Sequence, residues 1–91
     1  MQNVEHIAAQ FRFQTGDGEA HAVLDYRLQD DRMTILHTFV PPAARGGGVA
    51  AELTRTALDW AREKSLTVVP ACSYAAAYIE RHPDYQDLVD S

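Results

Sequence analysis

"MTILHTFVPPAARGGGVAAEL", residues 33 to 53, holds the change of period that decides the fold. Its first part, "MTILHTFV" (33–40), is apolar or hydroxylic on both faces and rich in β-branched and aromatic residues. That composition predicts a central strand covered on both sides. From Val49 the spacing becomes three and four, through Val49, Leu53, Ala57, Trp60, Ala61 and Lys64, which predicts an amphipathic helix ending near Ser65. Glu52 falls in its first turns and Arg62 and Lys64 in its last, so the charges complement the helix dipole.

Upstream, "AQFRFQ" (9–14) alternates, with Ala9, Phe11 and Phe13 on one face against Gln10, Arg12 and Gln14. "TGDGE" supplies a tight reversal, after which Ala20, Ala22, Leu24, Tyr26 and Leu28 alternate with His21, Val23, Asp25 and Arg27. A hairpin follows from that pattern. Downstream, "LTVVPA" (66–71) reads as a short strand in which Pro70 must occupy an edge, an end or a bulge. "SYAAAYIERH" (73–82) reads as a second helix with Ser73 as N-cap, stopped before Pro83, and the last residues, 84–91, as a helical turn or tail. The expected order is β-β-β-α-β-α: an antiparallel meander, then a helix crossing to a strand parallel to the third. The expected fold class is α+β, with helices packed on a curved sheet.

At 91 residues, 46% of them hydrophobic and 23% charged, the chain has the size of a single domain, 1–91, with one core. The net charge of −5, from 13 acidic and 8 basic side chains, argues against a general nucleic-acid binder, which needs a basic face. No apolar stretch approaches the roughly 20 residues of a membrane span, so no membrane association is expected. The first residues, "MQNVEHIAAQ", lack the basic start and apolar run of a signal peptide, and Cys72, the one cysteine, has no internal disulfide partner. A cytoplasmic setting and a monomeric state are the expectations. Among His6, His21, His37 and His82 no spacing suggests a metal site.

Three consecutive glycines, Gly46, Gly47 and Gly48, ease positive φ and leave N–H groups uncovered just before a helix whose first turn also has N–H groups without acceptors. Such a place binds anions, phosphates above all, and Arg45 adds a forked cationic donor. An acidic chain can thus hold an anionic ligand on backbone amides. The run lacks Gly-Lys-Ser/Thr and the dinucleotide glycine spacing, so it is neither of those phosphate loops. A flexible strand-to-helix connection remains the alternative.

The run "VPPAARGGGVAAEL" resembles the acyl-CoA motif of the GNAT acetyltransferases, Arg/Gln-x-x-Gly-x-Gly/Ala, with Arg45, Gly48 and Ala50 in the matching positions. Together with "VVPACSYAAAYIERHP" it looks like the small one-domain GNAT-like proteins of the YidJ/YjdJ type, across essentially the whole chain. The resemblance implies a truncated GNAT fold that binds acetyl-CoA as cosubstrate and transfers its acetyl group to an amine, here unidentified. It places the pyrophosphate on the amides of Arg45, Gly46, Gly47, Gly48, Val49 and Ala50. It also places the pantetheine arm between the splayed strands 33–40 and 67–71, beside Val40. Similar sequences carry "HTEV" where this one has "HTFV", so Phe39 stands in place of an acidic residue. A CoA or acyl-CoA-binding module without efficient transfer is the alternative.

Acetyl transfer needs a neutral amine, a polarised carbonyl and a reprotonated thiolate. Cys72, between a strand and a helix N-terminus, has either a chemical role or that of a small buried hydrophobe. His37 is either a general base or a histidine bonded within the core. Tyr74 and Tyr78, one helical turn apart, either line the pantetheine channel, where a tyrosine can protonate a thiolate, or pack in the core. His82 fits a helix C-cap, and Arg55 stands close enough to the loop to approach adenosine phosphates.

Overall fold

Alternating apolar residues give the sheet one face to bury, and the two helices supply the stripes that cover it. The computed structural model describes residues 3–89; Met1, Gln2, Asp90 and Ser91, in the N-terminal stretch and the 84–91 segment, lie outside the described residues. The elements are β1 (Glu5–Ile7), β2 (Arg12–Thr15), β3 (Ala22–Gln29), β4 (Arg32–Phe39), α1 (Val49–Glu63), β5 (Thr67–Pro70) and α2 (Ser73–Arg81). Short 3-10 turns occupy Ala8–Gln10, Gly18–Ala20, Pro42–Ala44 and Pro83–Leu88. The sheet runs β1-β2-β3-β4-β5, antiparallel up to β4, with β5 parallel to β4 as the crossover predicts. Pro70 is the last residue of β5, an end position of the kind a proline requires.

Phe13, Leu24, Tyr26, Met33, Ile35 and Val68 of the sheet share one core with Leu53, Ala57 and Leu58 of α1 and with Ala75 and Ile79 of α2. Each leucine so enclosed contributes about 1.5–3 kcal/mol. Thr54 is also fully buried, and its hydroxyl donates to the Ala50 carbonyl at 2.8 Å, which satisfies it within the helix. α1 closes where Ser65 takes φ +58 and the Leu66 N–H reaches back to the Ala61 carbonyl at 2.8 Å.

Three expectations are corrected. The 9–14 strand is shorter, because Ala8–Gln10 forms a 3-10 turn that ends with Phe11 at φ +54. Phe11 therefore leaves the face of Phe13 and stays 46% exposed, edge-on to Tyr26 at 5.9 Å. A preceding strand, β1, pairs with β2 and places His6 opposite Phe13. β4 is flanked by two strands but is not covered on both faces. Both helices bury their stripes in the same core on one side, so Leu36, His37 and Phe39 remain exposed. Cys72, not Ser73, is the N-cap residue of α2, and it makes no side-chain capping bond.

Candidate functional site

Two departures from regular geometry shape the end of β4. Its pairing with β5 stops at Ile35 opposite Pro70, so beyond it His37–Phe39 pair with β3 alone. One edge of β4 is released there, with main-chain groups facing outward. The second departure is a bulge: Tyr26 lies opposite Ile35 but its neighbour Asp25 lies opposite His37, which leaves Leu36 as an extra residue.

The chain then turns through Pro42–Ala44 into the glycines. Gly46 takes φ +89 and Gly48 φ +75, conformations a side chain adopts only at a cost. A Cβ on Gly46, Gly47 or Gly48 would meet nothing within 4 Å, so the space before the loop is open. Among the described residues these three amides donate to no backbone carbonyl, and the first turn of α1 lacks intrahelical acceptors. Arg45 Nε donates to the Val40 carbonyl at 3.1 Å, tying the two ends of the loop together. A cleft of ≈ 170 Å³ lies here, lined by Val40, Arg45, Gly46, Gly48, Val49, Ala50 and Tyr74 among others. Ala51 and Tyr74 also line an adjoining cavity of ≈ 340 Å³ that runs to Tyr78, Arg81 and His82. Of the residues read from the sequence, the structure thus gathers Val40, Arg45, Gly46, Gly48, Val49, Ala50 and Tyr74 around one opening.

Cys72 is half-buried, with Sγ 3.9 Å from Thr38 Oγ1, so it reaches across the gap where β4 and β5 part. Thr38 lies opposite the fully buried Leu24, on the helix side of the sheet. His37, its neighbour, points to the other side. There Nε2 stands 2.9 Å from Asp25 Oδ2, with the ring 60% exposed. The two candidate catalytic side chains are therefore on opposite faces of β4 and do not form a pair. Tyr78 is buried with its ring stacked on His82 at 4.0 Å, and burial raises its phenol above the usual range, which keeps it protonated. His82 caps α2 through Nδ1, 2.7 Å from the Tyr78 carbonyl oxygen. Arg55 turns to Glu52 on its own helix.

Sequence reasoning missed Arg12, Asp25 and Thr38. Asp25 alternates as a polar strand residue, and only the bulge, invisible in one chain's pattern, brings His37 to it.

Comparison with known proteins identifies the family to which this fold and loop belong. Residues 10–88 match the model of the GCN5-related N-acetyltransferase family. Mouse and human proteins named NATD1 are each 36% identical over 83 residues, which span 88% of this chain and 76% and 74% of theirs. A GCN5-like protein from Staphylococcus aureus, solved in solution by NMR, superposes with a TM-score of 0.77 at 28% identity over 98% of this chain and 88% of that one. With the family model, the relatives and the fold in agreement over most of the chain, the protein belongs to the GCN5-related N-acetyltransferase family.

Proposed function

We propose that the protein is an acetyl-CoA-dependent N-acetyltransferase, working as a monomeric unit over residues 1–91, that transfers an acetyl group to a small or peptidic amine. The observation that carries this is the pair of left-handed glycines, Gly46 and Gly48, which leave the amides before α1 open to an anion. The amides from Arg45 to Ala50 hold the pyrophosphate of acetyl-CoA, and Tyr74 flanks it. The pantetheine arm follows the free edge of β4 past Val40 toward Thr38 and Cys72. Acetyl-CoA supplies the acyl group when bound; the chain supplies donors, orientation and proton transfer. Tyr78 keeps its proton and packs beneath the channel. Neither nucleic acid nor a membrane enters the reading, and a cytoplasmic setting is part of it; no helix among the described residues is long and apolar enough to cross a membrane, and the net charge is −5.

A second reading, a CoA or acyl-CoA-binding module, is favoured by Phe39, an exposed aromatic at the position where the resemblance read from the sequence implies an acid. Titration with acetyl-CoA, followed by amide shifts and intact mass, separates the two. Transfer predicts shifts at residues 45–50 and acetylated product on adding amines; a module predicts the shifts without product; no shifts at all would refute both. Cys72→Ala sharpens the chemistry. An acetyl-cysteine route predicts loss of a 42 Da mass gain and of turnover with affinity retained, whereas direct transfer predicts retained turnover.

A further inference from the structure

The bulge at Leu36 has a chemical consequence on the acceptor side. Ile35 and His37 are two apart and would share a face in a regular strand. Because Leu36 is extra, Ile35 points into the core and His37 onto the open face of the sheet. There the registers place Arg12 of β2, Asp25 of β3 and His37 of β4 in one row across three strands. Arg12 grips the Asp25 carboxylate as a fork, Nε to Oδ1 at 2.7 Å and Nη2 to Oδ2 at 3.3 Å. The carboxylate, 18% exposed, presents Oδ2 to His37 Nε2 at 2.9 Å. Asp25, with Arg12 behind it, is the charged group facing the imidazole from β3 and β2, and β5 ends before this level. Phe39, opposite Val23 and 52% exposed, lies on the same open face two residues on.

We propose that Asp25 is a positioning residue that makes His37 the base for the acceptor amine, which approaches over the open face beside Phe39. The inference rests on the acetyl-transfer reading above. A fixed carboxylate at Nε2 favours the tautomer with the proton there, which leaves the Nδ1 lone pair on the exposed side of the ring. His37 takes one proton from the acceptor ammonium at Nδ1. The nitrogen lone pair then bonds the acyl carbon as the carbon–sulfur bond breaks, and the second nitrogen proton passes to the departing thiolate. His37 releases its proton to solvent, which balances the reaction as amide, thiol and one proton.

The structure points to an acceptor whose carbon chain lies on an aromatic ring, so 2-phenylethylamine with acetyl-CoA is the probe. Asp25→Asn is expected to lower kcat about 100-fold, the scale of general-base catalysis, with KM for acetyl-CoA unchanged. Asp25→Glu, which keeps a carboxylate, restores most of it. Ring nitrogen shifts of His37, read without acetyl-CoA, report the Nε2-protonated tautomer in the wild type and a mixture in Asp25→Asn. Should Asn destabilise the fold by freeing Arg12, the Glu variant and the wild-type tautomer still decide. An unaltered kcat, or a tautomer that does not respond to Asn, overturns the proposal. A wild type that binds acetyl-CoA yet transfers nothing overturns the enzymatic reading itself, and the ring signal tells the two failures apart.

Discussion

β4 is one strand with two unlike halves. Arg32–Ile35 pair on both sides, with β3 and β5, and bury Met33 and Ile35 completely. In Leu36–Phe39, the bulged Leu36 has no partner and His37–Phe39 pair on one side only, with Leu36, His37 and Phe39 exposed. Composition hardly differs between them, so hydrophobicity is not the cause. The bulge at Leu36 and the end of β5 at Pro70 make the difference: one re-aims the side chains, the other frees the edge. The first half holds the buried core residues, and the second holds the exposed side chains to which the proposed chemistry is assigned.

The largest effects should therefore fall in the closed half. Ile35→Ala removes a fully buried side chain, and a loss of about 2–5 kcal/mol is expected. His37→Ala, at a side chain 60% exposed on the open face of the sheet, should stay within about 0.5 kcal/mol. Urea unfolding of both measures the contrast. Comparable losses would show that the open half also carries the fold, and the division would fail.

Most of the architecture was legible because it depends on periods. β3, β4, α1 and α2 follow from alternation or three-four spacing, and the parallel β5 from the crossover. The glycine loop was legible as well, since positive φ and open amides are properties of the residues themselves. What stayed hidden depends on partners. β1 has three residues, too few to show a period, and its identity comes from pairing Glu5–Ile7 with Arg12–Gln14. Phe11 broke its pattern because the turn before it needs a left-handed residue. An apolar run such as "MTILHTFV" reads as doubly covered when the helices in fact lie on one face. The Arg12–Asp25–His37 row exists only through registers and a bulge, none of which a single strand's sequence encodes.

The loop that follows the open half offers a medium-sized test of where regular structure ends. Gly48→Ala puts a side chain on a residue at φ +75, at a cost of about 1–2 kcal/mol. Gly47, which shows no positive φ and open space around its Cβ, should accept alanine with little loss of stability. Gly47→Glu should fold normally yet repel pyrophosphate and raise the Kd for acetyl-CoA. Thermal unfolding paired with acetyl-CoA titration reads both. If Gly47→Glu binds acetyl-CoA as the wild type does, the anion does not sit on these amides.

The smallest expected effect concerns β1, on the covered side. His6 stacks on Phe13 with ring centroids 4.1 Å apart, meets Trp60 edge-on at 4.6 Å and faces the Tyr26 hydroxyl through Nε2. Partial burial lowers its pKa below the ordinary 6.5, so the folded protein prefers the neutral ring. The unfolded chain takes up the proton first as pH falls through about 6.5. Stability from this residue is thus complete above that pH, declines as pH drops through it, and levels off once the folded ring is also charged. The fall in Tm between pH 7.5 and pH 5.5 should be smaller in His6→Phe, which keeps the stack on Phe13 and has nothing to protonate. An equal fall in both proteins would move the acid sensitivity elsewhere.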